Sequence, residues 1–231
     1  MLKAKYGWEL SVDGIVADQD IFNHILKNRG IDDADHFFNM GKESLHHPFL
    51  LDNMTKAVNR ILLAISLNDP IIIYGDYDCD GITAISVLYR ALKKLNANVH
   101  YDLPDRFSDG YGLNLKAVDD IIQKGYKLVI TVDNGITCMD EVEKLQKAGI
   151  DCIITDHHEP KGVLPPAFAI IHAKISDNYP WKELAGVAVA YKLAVAVLGN
   201  DLDELLDLVM IGTIADLMPL KDANQAIVNL G

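Results

Sequence analysis

From residue 70 onward, short runs of β-branched and apolar residues recur, and the intervals between them carry helical patterns. Ile71-Ile-Ile-Tyr74, Leu128-Val-Ile-Thr-Val132 and Cys152-Ile-Ile-Thr155 lie within strand candidates at 70–74, 97–103, 127–132, 151–155 and 168–171. Helical patterns fill 82–95, 115–124, 139–148, 183–198 and 202–214. A strand that is apolar at nearly every position, not at every second one, has to be covered on both faces. Helices between successive strands supply that cover and leave the strands parallel. The pattern predicts an α/β fold, a parallel-rich central sheet with helices on both faces. Residues 1–68 show no such runs. Their apolar residues at 19–29 and 53–67, such as Met54, Val58, Ile61, Leu62 and Ile65, fall at helical spacing. They predict an N-terminal helical annex, with His46-His-Pro-Phe-Leu-Leu51 as an irregular connector.

The first strongly apolar strand runs straight into charge: Gly75-Asp-Tyr-Asp-Cys-Asp-Gly81 carries Asp76, Asp78 and Asp80, one residue apart. Asp133 follows the strand at 127–132, and Asp156-His-His158 follows the one at 151–155. In parallel sheets ligands bind beyond the carboxyl ends of the strands, so three acidic clusters converge on one edge. Crowded carboxylates take up either protons or cations. Oxygen ligands with one or two imidazoles suit Mn²⁺ or Mg²⁺. Two such ions about 3.5–4 Å apart, sharing a carboxylate, form a clamp for in-line attack on a phosphoryl group. Each cluster also has a structural reading. Asp80-Gly81 and Asp133-Asn-Gly135 are turn signals, Asp156 can cap a helix, and His157 and His158 can be loop residues. His46, His47, His100 and His172 lack acidic neighbours at ligand spacing and are read as structural.

Composition narrows the classes further. A net charge of −12, from 21 basic and 33 acidic residues, argues against a surface that coats nucleic acid generically. It leaves room for an enzyme whose carboxylates hold cations, because bound metal reverses the local sign. Half the residues are apolar, as in a folded globular protein, and no apolar run reaches the roughly 18 residues that span a bilayer. Cys79, Cys138 and Cys152 show no CxxC pairing, which predicts reduced thiols in cytoplasm and speaks against thiolate-held zinc. Cys79 is read as a packing residue. A nucleotide-binding Rossmann protein is excluded because no GxGxxG follows the first strand.

The ordered set Gly75-Asp-Tyr-Asp-Cys-Asp-Gly81, Val132-Asp-Asn-Gly135 and Asp156-His-His158 resembles the successive motifs of the DHH phosphoesterase superfamily. Within it, the likeness is to the bacterial single-strand-specific 5′→3′ DNA exonucleases. Leu103-Pro-Asp-Arg-Phe-Ser-Asp-Gly-Tyr-Gly-Leu-Asn114, Glu183-Leu-Ala-Gly-Val-Ala-Val-Ala-Tyr-Lys-Leu193 and Gly212-Thr-Ile-Ala-Asp-Leu-Met-Pro-Leu220 carry it too, as does His47-Pro-Phe-Leu50. The resemblance implies two divalent cations, Mn²⁺ before Mg²⁺, held by Asp76, Asp78, Asp80, Asp133, His157 and Asp216. Asp133 would bridge the ions. His158 would face the scissile phosphate or the leaving group, with Asp156 orienting the imidazoles. Arg106, Gly110, Tyr111 and Gly112 would grip the phosphate backbone.

The implied activity is phosphodiester hydrolysis releasing 5′-mononucleotides from single-stranded DNA. A phosphodiesterase for short oligoribonucleotides or cyclic dinucleotides, or a non-catalytic metal-binding module, are the alternatives. A single-strand-binding protein or a helicase is the kind of partner implied, and no membrane. The domain expectation is an annex at 1–68, a DHH catalytic domain at 69–220, and at 221–231 the start of a helix connecting to a second domain that the chain lacks. One departure concerns Tyr74, where many members carry histidine; it weakens the second ion or passes that role to Asp76.

Overall fold

The computed structural model describes residues 18–107 and 110–231. Its five strands are β1 (Ile71–Tyr74), β2 (Val99–Asp102), β3 (Leu128–Val132), β4 (Asp151–Thr155) and β5 (Ala169–Ile171). They pair in parallel throughout, in the order β2-β1-β3-β4-β5. Nine helices accompany them among the described residues. Three precede the sheet: α1 (Asp18–Asn28), α2 (Ala34–Phe38) and α3 (Met54–Ser66). Three lie between strands: α4 (Cys79–Lys94), α5 (Leu115–Gln123) and α6 (Met139–Lys147). Three follow: α7 (Gly186–Leu198), α8 (Leu206–Ala215) and α9 (Asp222–Leu230). The backbone separates into two compact units, Met1–Asn39 and Met40–Gly231, so α3 belongs with the sheet in the larger one.

Strand alternation sorts the core into two layers. Ile71, Ile73, Leu128, Ile130, Val132 and Ile153 face a cluster that takes in side chains of α3, α4, α7 and α8. Ile72, Tyr74, Val129, Cys152 and Ile154 face a smaller one closed by Val118 and Ile121 of α5 and Val142 and Leu145 of α6. α7 is apolar nearly all round, and eleven of its 13 residues are buried, as expected of a helix enclosed by the core. Its Lys192 is buried too, and donates to the carbonyls of Leu45 and His46 (2.9 Å to the latter). That ties the 3₁₀ turn Lys42–Leu45 to the helix. Burial, only partly opposed by the Asp201 charge, pushes the Lys192 ammonium down to about 7.

The order 2-1-3-4-5 reverses direction between β1 and β3, and a crevice opens at the carboxyl ends of strands at such a switch point. The segment after β1 does not continue as extended chain. Asp78 caps α4, its carboxylate accepting from the Gly81 N–H at 2.9 Å. The helix therefore begins three residues ahead of the 82–95 expectation. It carries Cys79 to an exposed first turn, so that thiol does not pack as expected. The chain entering α4 passes so close to β1 that a side chain at Gly81 would meet the Asp76 backbone at 2.5 Å.

Candidate metal centre

Four elements deliver the acidic side chains to one place. Asp76 leaves β1, Asp80 sits in the first turn of α4, Asp133 follows β3, and Asp216 is the exit residue of α8. The helical pattern read from sequence ends at 214; the helix runs one residue further, and Asp216 is its exit. Asp76, Asp80 and Asp133 are buried, while Asp78 is exposed. His157, delivered by the end of β4, is buried among them. Its Nε2 lies 3.1 Å from Asp133 Oδ1, 3.5 Å from Asp216 Oδ2 and 3.7 Å from Asp80 Oδ2.

Three groups of ligand atoms each fall within 4.8 Å: Asp76, Asp78 and Asp133; Asp80, His157 and Asp216; and Asp133, His157 and His158. Asp133 belongs to a group on either side, and His157 joins the last two. Two adjoining pockets with a common carboxylate are what a pair of cations needs.

The buried polar atoms show whether the residues fit such ions. Among the described residues, seven buried side-chain N or O atoms lack a hydrogen-bond partner, and three of them are Asp76 Oδ1, Asp133 Oδ1 and His157 Nε2. Polar atoms are rarely left that way, because each forfeits its hydration. Burial first, then the neighbouring Asp133 charge, raises the Asp80 carboxyl. Burial first, then Asp78, raises that of Asp133. Burial raises Asp76 as well, with the Tyr77 backbone hydrogen bond opposing it. All three shifts favour the protonated form while no cation is near, and a divalent cation would compete with those protons for the same oxygens. The donor set is hard oxygen plus imidazole, suited to Mn²⁺ or Mg²⁺.

The frame around the cluster is rigid. Asp80 accepts from the backbone N–H groups of Gly186 (2.7 Å) and Val187 (2.8 Å), at the start of α7, where the helix end favours a negative charge. A side chain at Gly186 would lie 2.4 Å from Asp133 Oδ1, so only glycine lets α7 come this near. Asp133 itself has φ +60°, a left-handed conformation that Asp and Asn tolerate. Asn134, fully buried, donates to the carbonyls of Tyr74 (3.2 Å) and Val132 (2.9 Å) and accepts from the Leu113 N–H (3.3 Å). It fastens the ends of β1 and β3 to the loop that carries Tyr111.

Asp156 performs a comparable task for the histidines. It accepts from the N–H groups of Ile136 (2.9 Å), His157 (2.7 Å) and His158 (3.2 Å), and from His158 Nδ1 at 2.8 Å. Burial alone would raise its carboxyl, but the His158 ring and these N–H groups outweigh burial and lower it. The same hydrogen bond, against the opposing effect of burial, lifts His158 to about 9. The His158 ring remains partly open to solvent, 43% exposed. His172, read from sequence as structural, accepts the Lys174 N–H at Nδ1 and so donates from Nε2 to the His158 carbonyl at 2.8 Å.

Of the phosphate-gripping candidates, Tyr111 donates its hydroxyl to the Asp133 carbonyl at 2.8 Å and meets the His158 ring nitrogens at 3.1 Å. Gly112, at φ +67°, turns its N–H toward Asp76. Arg106 is exposed, its guanidinium 5.3 Å from the Tyr77 ring centre beside the first aspartates. Gly110, at φ +80°, borders open space. Asp109, within the same glycine-rich stretch, lies outside the described residues. Tyr74, at the position where many family members have histidine, is buried in the apolar cluster with Leu113 and Ile136. Sequence reasoning missed Asn134, Gly186 and Val187. A glycine opening an otherwise apolar helix at Ala185-Gly-Val187 was the available signal for the last two.

Residues 70–213 match the family described as DHH family, N-terminal domain. The chain belongs to the DHH family. Curated relatives in this family include the single-stranded-DNA-specific exonuclease RecJ of Bacillus subtilis, 45% identical over 248 aligned positions that cover 100% of this chain and 31% of that protein. RecJ of Escherichia coli is 41% identical over 194 positions, 77% of this chain and 33% of that one. The chain thus spans about a third of the length of these relatives. Solved DHH structures agree. Exonuclease RecJ bound to manganese superposes with a TM-score of 0.74 at 35% identity, over 78% of this chain and 47% of that one. RecJ in complex with Mn²⁺ from Thermus thermophilus gives 0.75 at 30% identity, over 89% and 30%.

Proposed function

We propose that this chain is the metal-dependent catalytic core of an exonuclease that hydrolyses phosphodiesters of single-stranded DNA from the 5′ end, releasing 5′-mononucleotides. The carrying observation is the run of adjoining ligand groups, Asp76/Asp78/Asp133 joined through Asp133 to Asp133/His157/His158 and through His157 to Asp80/His157/Asp216, each with an orphaned buried ligand atom. Relatives carry the name single-stranded-DNA-specific exonuclease RecJ, and solved RecJ structures hold Mn²⁺ or Mg²⁺.

Asp76, Asp78 and Asp133 would hold one divalent cation, and Asp80, His157, Asp216 and Asp133 a second. Such ions supply Lewis-acid chemistry: they polarise the phosphoryl oxygens and make water nucleophilic near neutral pH. The protein's own groups divide the remaining work. Asp156 holds the His158 ring by Nδ1, favours its protonated form and fixes its direction. His158 then offers a positive donor to the scissile phosphate and a proton to the departing oxygen. Tyr111 limits the ring from its other side, and Arg106 and the Gly112 backbone line the approach used by the phosphate chain.

The test has two parts. Calorimetry with MnCl₂ is expected to show uptake by the wild-type chain and loss of it in Asp133→Asn. A 3′-labelled single strand is expected to shorten from its 5′ end only when Mn²⁺ or Mg²⁺ is present, and an Asp133→Asn sample to leave it intact. No manganese uptake, or release of nucleotides in a chelator, would refute the proposal. Faster turnover of a dinucleotide than of the long strand would reassign the substrate to short oligonucleotides.

A further inference from the structure

A second cavity, of about 300 Å³, lies outside the metal centre, between α4 and the edge strand β2. Ile82, Ile85, Tyr89 and Arg90 line it from the helix, Tyr101 and Leu103 from the strand and its exit. The helix residues stand at i, i+3, i+7 and i+8, one face of α4. Asp78, the cap of α4 and the exposed ligand candidate, stands four residues ahead of Ile82 on that same face. The lining begins one turn beyond that rim residue of the metal centre and follows α4 from Ile82 to Arg90, about 12 Å at 1.5 Å per residue.

Its walls are suited to contact with something. Ile82 is 47% exposed and Tyr101 55%. The Tyr89 and Tyr101 rings meet edge to face with centres 5.3 Å apart, and Lys93 Nζ lies 5.4 Å from the Tyr89 ring centre. Arg90 is exposed, and among the described residues no carboxylate pairs with it. Two cations interleaved with two aromatic rings, on a chain of net charge −12, form a local site of opposite sign to the rest of the molecule. That combination suits a polyanion carrying flat apolar groups, and it is how proteins hold single strands without reading their sequence.

We infer that the α4–β2 groove carries single-stranded DNA beyond the metal centre, with bases stacked on Tyr101 and Tyr89 and phosphates met by Arg90 and Lys93. This rests on the nuclease function proposed above and adds a source of strand preference. Bases in a duplex are stacked on one another and paired, so their faces are not free for the tyrosines.

The experiment measures anisotropy of a fluorescein-labelled dT10 with phosphorothioate linkages, bound in manganese by the 231-residue chain. Calorimetry with MnCl₂ and thermal melting run alongside for every variant. Tyr101→Ala is expected to weaken binding about tenfold, the size of one lost stacking contact, whereas Tyr101→Phe retains wild-type affinity. Arg90→Ala weakens binding and lowers the slope of log affinity against log salt by about 0.7, one phosphate contact on a single strand. If Tyr101→Ala melts below the assay temperature, Arg90→Ala alone decides. Unchanged affinity and salt slope in both variants, with manganese uptake intact, overturns the groove and leaves the metal centre standing. A dimer in sedimentation that Tyr101→Ala dissolves would also overturn it, assigning the face to a second copy. A wild-type chain that takes up no manganese overturns both proposals.

Discussion

Asp133 combines two demands that a single side chain seldom meets. Its backbone is left-handed, φ +60°, and its carboxylate is buried against Gly186 with one oxygen unpartnered. Asparagine keeps the shape and the conformation while removing the charge. Asp133→Asn is therefore expected to melt no lower than the wild type in chelator, while losing manganese uptake by calorimetry. Asp133→Ala loses the metal too, and its Cβ-only side chain sits in the left-handed region at an extra cost of about 1 kcal/mol. A drop of several degrees for Asp133→Asn without metal would show that repulsion in the cluster is not what the cation relieves. Burial, with that repulsion added to it, sets a pH dependence. Asp80 and Asp133 have folded-state pKa values raised above the ordinary carboxylate range, Asp133 to about 8. The metal-free folded protein thus binds protons that the unfolded chain has already released, and its stability falls as pH rises from about 4 through 8. Cations replace those protons, so the rise in Tm on adding MnCl₂ is expected to be larger at pH 8.5 than at pH 6. Equal rises at both would place the protons elsewhere.

At the scale of elements, the short loops after β1, β3 and β4 matter as much as the ligands. Asn134 joins the first two through hydrogen bonds to Tyr74, Val132 and Leu113, all buried. Asn134→Ala removes these three buried hydrogen bonds and is expected to lower stability by about 2–4 kcal/mol, at roughly 1 kcal/mol for each. Urea unfolding measures this. Manganese affinity should fall with it, because Asp76 and Asp133 stand on either side of the joint; a loss of stability at wild-type affinity would disprove the coupling. The inner strands were legible because burial on both faces leaves continuous apolar runs such as Ile71-Ile-Ile, and the carboxylates because like charges crowded at one sheet edge repel unless protons or cations join them. The start of α4 was not. Asp78 reads equally well as one of three alternating aspartates or as a helix cap, and only the Gly81 N–H on its carboxylate shows that it caps. Once the helix starts there, Cys79 turns to solvent instead of packing. The seat of Asp80 was hidden for another reason: its partners are backbone N–H groups of Gly186 and Val187, more than a hundred residues away, and backbone donors leave no mark on composition.

For the molecule as a whole, charge sets the balance between binding metal and binding DNA. With 33 acidic against 21 basic residues, the chain repels a polyanion except where cations or clustered basic groups reverse the sign. Metal uptake needs only the local cluster and gains from the surrounding negative field. A DNA strand needs several phosphate contacts, each contributing to an affinity that falls with salt. Arg106, Arg90 and Lys93 are the basic groups placed near the metal centre and its groove, too few to hold a strand through many successive cuts. The chain is therefore expected to take up manganese fully yet digest single-stranded DNA slowly and distributively, leaving a ladder of intermediates on a gel. With three phosphate contacts at a slope of roughly 0.7 each, digestion should weaken about twentyfold between about 50 and 200 mM salt, while manganese affinity, set inside a buried cluster, changes far less. Processive digestion that persists at the higher salt would mean that the strand is held by apolar stacking along the α4–β2 groove to a degree that makes phosphate contacts secondary.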